Sequence, residues 1–282
     1  MLGQALGEDG AAPGAGERRI HRIAIGIYDD VDGKLVRSHR VELDLDAVES
    51  TDVPELVGVA RGALVLVNDD DLTYGSVRLD PESLATAIER VGDITDSLPR
   101  TLVWSAAWEM TRQAELKARD FVALVERGIS SETEVGVVQR LLLQAQTAIG
   151  SYADPAWAEA EGAASFANRL LELAREAEAG SDHQLAFVNA LTGAALSPWH
   201  TEVLRELLDA DPSTVGLDGL IVDMDLRWRI VGALAAAGEI DSEIDLADGA
   251  GVYGWQVALA AEVNLERAVE HWRQQESPFG LI

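Results

Sequence analysis

Cysteine is missing from all 282 residues, which excludes disulfides and thiol catalysis. Lysine is nearly missing as well: Lys34 and Lys117 are the only two, and the remaining basic residues are arginine. Lysine and arginine together number 22 against 49 acidic residues, a formal net charge of −27. A field of that sign repels phosphate backbones and anionic lipid surfaces unless a local basic patch offsets it. The nearest approach to one, Arg18-Arg19-Ile20-His21-Arg22, is brief and opens a predicted strand. No nucleic acid and no membrane surface is expected as a partner. Long apolar runs are lacking too. The most apolar stretch, residues 230–238, falls well short of the roughly 20 residues that cross a bilayer. Residues 1–10 have neither the basic segment nor the apolar core of a signal peptide, so cytoplasmic residence is the expectation.

The usual catalytic patterns are also missing. A zincin helix needs two histidines one turn apart with a glutamate beside the first. The five histidines are His21, His39, His183, His200 and His271, and no two are four residues apart. His200-Thr201-Glu202 is the nearest fragment and lacks the second histidine. No G-x-S-x-G elbow or phosphate-cradling loop occurs. Gly249-Ala250-Gly251-Val252-Tyr253-Gly254 fits G-x-G-x-x-G, with Glu270 at a distance suited to a ribose contact. It follows an acidic, strand-poor stretch rather than a buried strand, so the glycines read as a helix end and a helix start. Asp69-Asp70-Asp71 and Asp29-Asp30-Val31-Asp32-Gly33 lack the alternating ligands and distal glutamate of a calcium loop, and read as polar turns at strand ends. The sequence thus offers no catalytic residue, no cofactor-binding residue and no metal ligand.

What is present is a change of period. Ile23, Ile25 and Ile27 alternate as a half-buried strand does, Asp32-Gly33 supplies a hairpin turn, and Val41, Leu43 and Leu45 alternate again. A loop around Asp52-Val53-Pro54 leads to the apolar run 63–67, and residues 74–79 read as one more strand. At Asp80-Pro81 a cap-and-proline start opens a helical region. Helices are predicted over 81–92, 99–113, 116–128, 132–150, 155–178, 181–195, 198–210, 223–237, 252–262 and 264–276. The predicted fold is mainly α: a short β-sandwich remnant followed by a HEAT-like array of antiparallel helix pairs. Residues 1–19 read as a flexible lead-in, 20–80 as a partial β-sandwich module and 81–282 as a helical domain. Trp104 and Trp108, one turn apart beside Val103, Ala107 and Met110, read as core, and Trp157, Trp199, Trp228, Trp255 and Trp272 as packing anchors.

The run Leu64-Val65-Leu66-Val67-Asn68-Asp69-Asp70-Asp71-Leu72-Thr73-Tyr74-Gly75-Ser76-Val77-Arg78-Leu79-Asp80 resembles a stretch of the aminopeptidase N-type zinc peptidases. There it lies where a β-sandwich hands over to the helical C-terminal domain. Leu98-Pro99-Arg100, the stretch from Leu102 through Trp104 and Trp108 to Arg112, Ala118-Arg119-Asp120-Phe121-Val122, Glu134-Val135-Gly136-Val137-Val138-Gln139 and Leu226-Arg227-Trp228 are similar to the actinobacterial branch. The stretch from His21 to Leu45 resembles the same family's sandwich. The resemblance spans about residues 19–245 and implies a helical domain that caps a zinc active site and lines the peptide chamber. The family's zinc-binding and exopeptidase motifs lie upstream of the matched region. No cofactor is therefore expected in this chain, and it is expected to be inactive alone. Beyond Asp245 the sequence departs from the family, which reads as a chain truncated at both ends. The expected partners are peptide or the missing catalytic domain, with self-association as a further expectation. The alternative is a free-standing helical-repeat scaffold that binds a peptide or protein.

Overall fold

The structure, a computed structural model, describes residues 2–3 and 20–238. Within them the protein is mainly α with a short β part, following the change of period at Asp80-Pro81. The described residues divide into two compact units, one reaching to residue 133 and including 147–153, the other comprising 134–146 and residues from 154 onward.

In the first unit, β1 (Leu2–Gly3) pairs antiparallel with β4 (Ser50–Thr51). β2 (His21–Val31) and β3 (Lys34–Leu45) form a hairpin, and β5 (Leu64–Val67) pairs with the other side of β2, giving the order β3-β2-β5. The hairpin turns at Asp32 and Gly33 with φ of 52° and 79°, the positive values that match the twist of the flanking strands. Alternation along β2 puts Ile23 and Ile25 on one face, packed with Leu45 and Val53. The opposite face carries Ala24, Gly26 and Tyr28, also buried.

The β2–β3 register shifts between Ile27 and Tyr28, so that Ile27 pairs with His39 but Tyr28 pairs with Arg37. Ser38 is the bulged residue, and its hydroxyl donates to the Ile27 carbonyl at 3.3 Å. The bulge sets Arg37 directly across from Tyr28, and paired residues share a face.

The strand predicted over residues 74–79 does not form. After β5 the chain enters a turn in which Asn68 and Asp71 hold positive φ (59° and 53°), which carries it away from the ladder. Residues 74–79 run without a strand partner, and Tyr74 is fully exposed. Apolar alternation there had no adjacent strand edge to bury it.

α1 (Pro81–Arg90) starts on the expected cap, with Asp80 Oδ1 accepting from the amides of Glu82 and Ser83 at 3.1 and 3.2 Å. Ser83 Oγ accepts from the Val65 amide at 2.9 Å, and Thr86 Oγ1 donates to the Ala63 carbonyl at 2.8 Å. These bonds cover the edge of β5 turned away from β2. α2 (Ser97–Arg112) and α3 (Ala118–Gly128) bury Val103, Trp104, Ala107, Phe121, Leu124 and Val125. A π-helical turn, Ala148–Tyr152, brings the Tyr152 ring 5.9 Å from that of Trp108, which lies 5.3 Å from Phe121.

The second unit holds most of α4 (Val135–Thr147), then α5 (Pro155–Trp157), which runs through a π-helical turn at Ala158–Gly162 into α6 (Ala163–Glu176). α7 (Asp182–Thr192), α8 (Pro198–Asp209) and α9 (Met224–Ala236) complete it. α6 packs on α7 and α8 on α9, neighbours in sequence as helix pairs require. Side chains of Asp154, Ser181, Ser197 and Asp223 cap the starts of α5, α7, α8 and α9. The helices predicted over 252–262 and 264–276 lie outside the described residues.

Candidate functional site

Two buried polar centres stand out, and both lie in the first unit. The first is built around Asp69, at the turn after β5. Its carboxylate rests over Gly26, where any Cβ would come within 2.2 Å of Asp69 Oδ2. That close approach requires glycine. Tyr28 Oη donates to Asp69 Oδ1 at 2.5 Å, and Arg37 Nη1 donates to Asp69 Oδ2 at 2.7 Å. Arg37 Nη1 also reaches Asp70 Oδ1 at 2.7 Å, Arg40 Nε reaches Asp70 Oδ2 at 2.5 Å, and Arg40 Nη2 continues to Glu42 at 2.8 Å. Burial and the bond to Asp69 push the Tyr28 hydroxyl well above the usual tyrosine range. The bonds to Asp69 and Asp70 hold Arg37 above the ordinary arginine value. The Arg37 guanidinium holds the Asp70 carboxyl below the usual carboxylate range.

Asn68 closes the turn: its Nδ2 donates to the Thr73 carbonyl at 2.8 Å and its Oδ1 accepts from the Thr73 amide at 3.2 Å. The aspartate run is therefore a polar strand-end turn, as expected, but it cross-links β2 and β3 as well. Both oxygens of Asp69 are occupied by protein donors. The arrangement makes Asp69 an acceptor in a cross-link; proton transfer would require breaking those bonds.

The second centre joins Arg100 and Trp104 of α2 to Glu132, just beyond α3. Trp104 Nε1 donates to Glu132 Oε1 at 2.7 Å and Arg100 Nε to the same oxygen at 3.0 Å. Arg100 Nη1 donates to the carbonyls of Ile94 and Thr95 at 2.8 and 3.0 Å. Arg100 and Glu132 are both buried, an ion pair whose remaining hydrogens find backbone acceptors. Sequence reading did not single out this pair. A signal existed: Arg100, Val103, Trp104 and Ala107 follow the i, i+3, i+4, i+7 spacing of a buried face, so the arginine stands in the apolar stripe.

The histidines do not assemble. His21 Nδ1 lies 2.8 Å from Thr73 Oγ1, His39 is exposed on β3 beside Ser38, His183 is on α7, and His200 is a buried cap residue of α8. Among the described residues no group of three or more His, Asp or Glu side chains is placed to hold a metal ion. His271 and the G-x-G-x-x-G segment with Glu270 lie outside the described residues. Trp104 is buried and Trp108 half-buried, in line with a core role. Trp157 packs on Gly162 and Trp228 on Val231 and Ala235. Trp199 is a correction: it is 51% exposed, with the Arg175 guanidinium 5.2 Å from its ring centre. Its place at the second position of α8 faces it outward, while His200 beside it turns in. Trp255 and Trp272 lie outside the described residues.

In the first unit a small sheet hands over to helices at a capped Asp-Pro, and the two buried polar centres are spent on cross-links. The chain belongs to the ERAP1-like C-terminal domain family, whose model matches residues 64–261. It is 52% identical over 228 residues to aminopeptidase N of Streptomyces lividans, a match that covers 80% of this chain and 26% of that relative. The chain thus spans about a quarter of the length of the relative it matches. The expected resemblance to the C-terminal part of the aminopeptidase N family holds, and it supports reading the chain as a non-catalytic part of a peptidase. No helix among the described residues is long and apolar enough to cross a membrane.

Proposed function

We propose that this chain is the non-catalytic C-terminal portion of an aminopeptidase N-like zinc peptidase, capping an active site carried upstream and lining the space that holds the peptide. The observation that carries the reading is 52% identity to a stretch amounting to 26% of an aminopeptidase N, within a C-terminal domain family. Relationship to that enzyme implies zinc in the whole protein. The described residues do not fit it: the Asp69 and Asp70 carboxylates are taken by tyrosine and arginine donors, and His200 Nδ1 is committed to a backbone amide. In this reading the zinc and its chemistry are carried by the portion of the enzyme outside this chain. What this chain contributes in that reading is a covering surface rather than catalytic groups.

Co-expression tests the reading. The upstream portion of the Streptomyces lividans enzyme, lacking the stretch matched here, is produced with and without this chain. A complex by size-exclusion chromatography and at least tenfold higher aminoacyl-anilide turnover are expected. A monomer that ignores the upstream portion and leaves turnover unchanged would favour an independent helical scaffold.

A further inference from the structure

His200 occupies the third position of α8 and is 0% exposed. The Ser197 backbone amide donates to its Nδ1 at 3.0 Å, and Ser197 Oγ lies 2.9 Å from the same nitrogen. In return Ser197 Oγ accepts from the His200 amide, completing a reciprocal cap at the helix start. A backbone N–H can only donate, so Nδ1 must be the acceptor, and the neutral ring carries its proton on Nε2. Nε2 is buried and has no hydrogen-bond partner among the described residues.

We propose that His200 is an acid-operated latch on α8: neutral, it closes the helix start through the Ser197 amide, and protonated, it releases it. A proton on Nδ1 would turn the acceptor into a donor aimed at another donor, breaking half of the cap. It would also place a cation in the interior, where no carboxylate among the described residues bonds to the ring. The charged groups that reach α8 lie elsewhere. Arg175 of α6 sits over the exposed Trp199 ring. Arg227 of α9 donates to the Leu208 carbonyl at the far end of α8. Glu202 and Arg205 pair with each other on the exposed face, and Glu206 meets Thr214. Burial holds the His200 ring below the usual histidine range.

The sign follows from linkage. In the unfolded chain the imidazole takes up its proton near pH 6.5, whereas the folded chain resists it. The contribution to stability is whole above that pH and is lost as pH falls through and below it. The opening concerns a helix whose Val203, Leu204 and Leu207 are buried.

The test uses the full chain and His200→Gln, because glutamine at this position can accept the Ser197 amide and does not titrate. Between pH 7.5 and 5.5 the melting temperature of the unmodified protein should fall, and hydrogen exchange of the first α8 amides should quicken severalfold beyond the intrinsic change. His200→Gln should show neither. Equal pH responses in the two proteins would overturn the proposal. Nitrogen-15 spectra of the unmodified protein decide independently of any variant. An Nε2–H tautomer that titrates below the ordinary histidine value of about 6.5 is expected. An Nδ1–H tautomer, or titration at the ordinary histidine value, would refute the latch even if the variant failed to fold.

Discussion

Trp104 and Glu132, 28 residues apart in the chain, are joined by a buried 2.7 Å hydrogen bond that also shares its acceptor oxygen with Arg100. One carboxylate thereby fixes α2 against the segment that leaves α3. Removing it strands a buried guanidinium and an indole N–H together. Glu132→Ala is expected to cost about 3–5 kcal/mol in chemical denaturation. Trp104→Phe, which removes the N–H together with part of the buried indole, should cost about 1–3 kcal/mol. Comparable losses for the two would mean that the carboxylate is not shared.

Tyr28→Phe deletes the hydroxyl that donates to Asp69 and leaves the sheet otherwise unchanged. A carboxylate at 0% exposure then keeps only the Arg37 donor on its second oxygen, at an expected cost of about 1–3 kcal/mol. Urea unfolding measures it. A neutral effect would show that water replaces the hydroxyl.

Two glycine-to-alanine changes should go in opposite directions. At Gly26 the added methyl would stand 2.2 Å from Asp69 Oδ2, so Gly26→Ala must push the carboxylate off its donors and should cost about 1–3 kcal/mol. At Gly136, in the first turn of α4, nothing lies within 4 Å of the new Cβ, and Gly136→Ala should stabilise by about 0.4–1 kcal/mol. Melting temperatures of the pair report the contrast. The same sign in both would place the Asp69 cross-link elsewhere.

Much of this architecture was legible in the sequence because the signals are local. Asp32-Gly33, Asp80-Pro81, Asp154-Pro155 and Ser197-Pro198 each punctuate the chain where the structure turns or starts a helix, since cap and turn chemistry depends on a few adjacent residues. The polar centres were not legible, because they join residues distant in sequence. Tyr28, Arg37 and Asp69 meet only through a β-bulge at Ser38 and a left-handed turn at Asn68, neither of which periodicity reveals. The false strand at 74–79 failed for the same reason: alternation is local, but a strand needs an available edge. Trp199 was misjudged because type and spacing do not tell which side of a helix start faces outward.

Acid should act in a second window below that of His200. The Arg37 guanidinium holds the Asp70 carboxyl below its ordinary range, so its contribution is present above about pH 4, the unfolded value, and lost as pH falls through the lower folded one. Asp70→Asn should therefore flatten part of the fall in melting temperature between pH 4 and 2 and leave the region from pH 5.5 to 7.5 untouched. A variant with the unmodified protein's acid limb would exclude Asp70 from it.

The most direct test of a non-catalytic C-terminal portion is aminoacyl-anilide turnover by the purified chain alone, with zinc supplied and then removed by chelator. The account predicts no turnover above the uncatalysed rate in either state, since the described residues assemble no metal ligand set. Turnover that appears with zinc and disappears with chelator would contradict it.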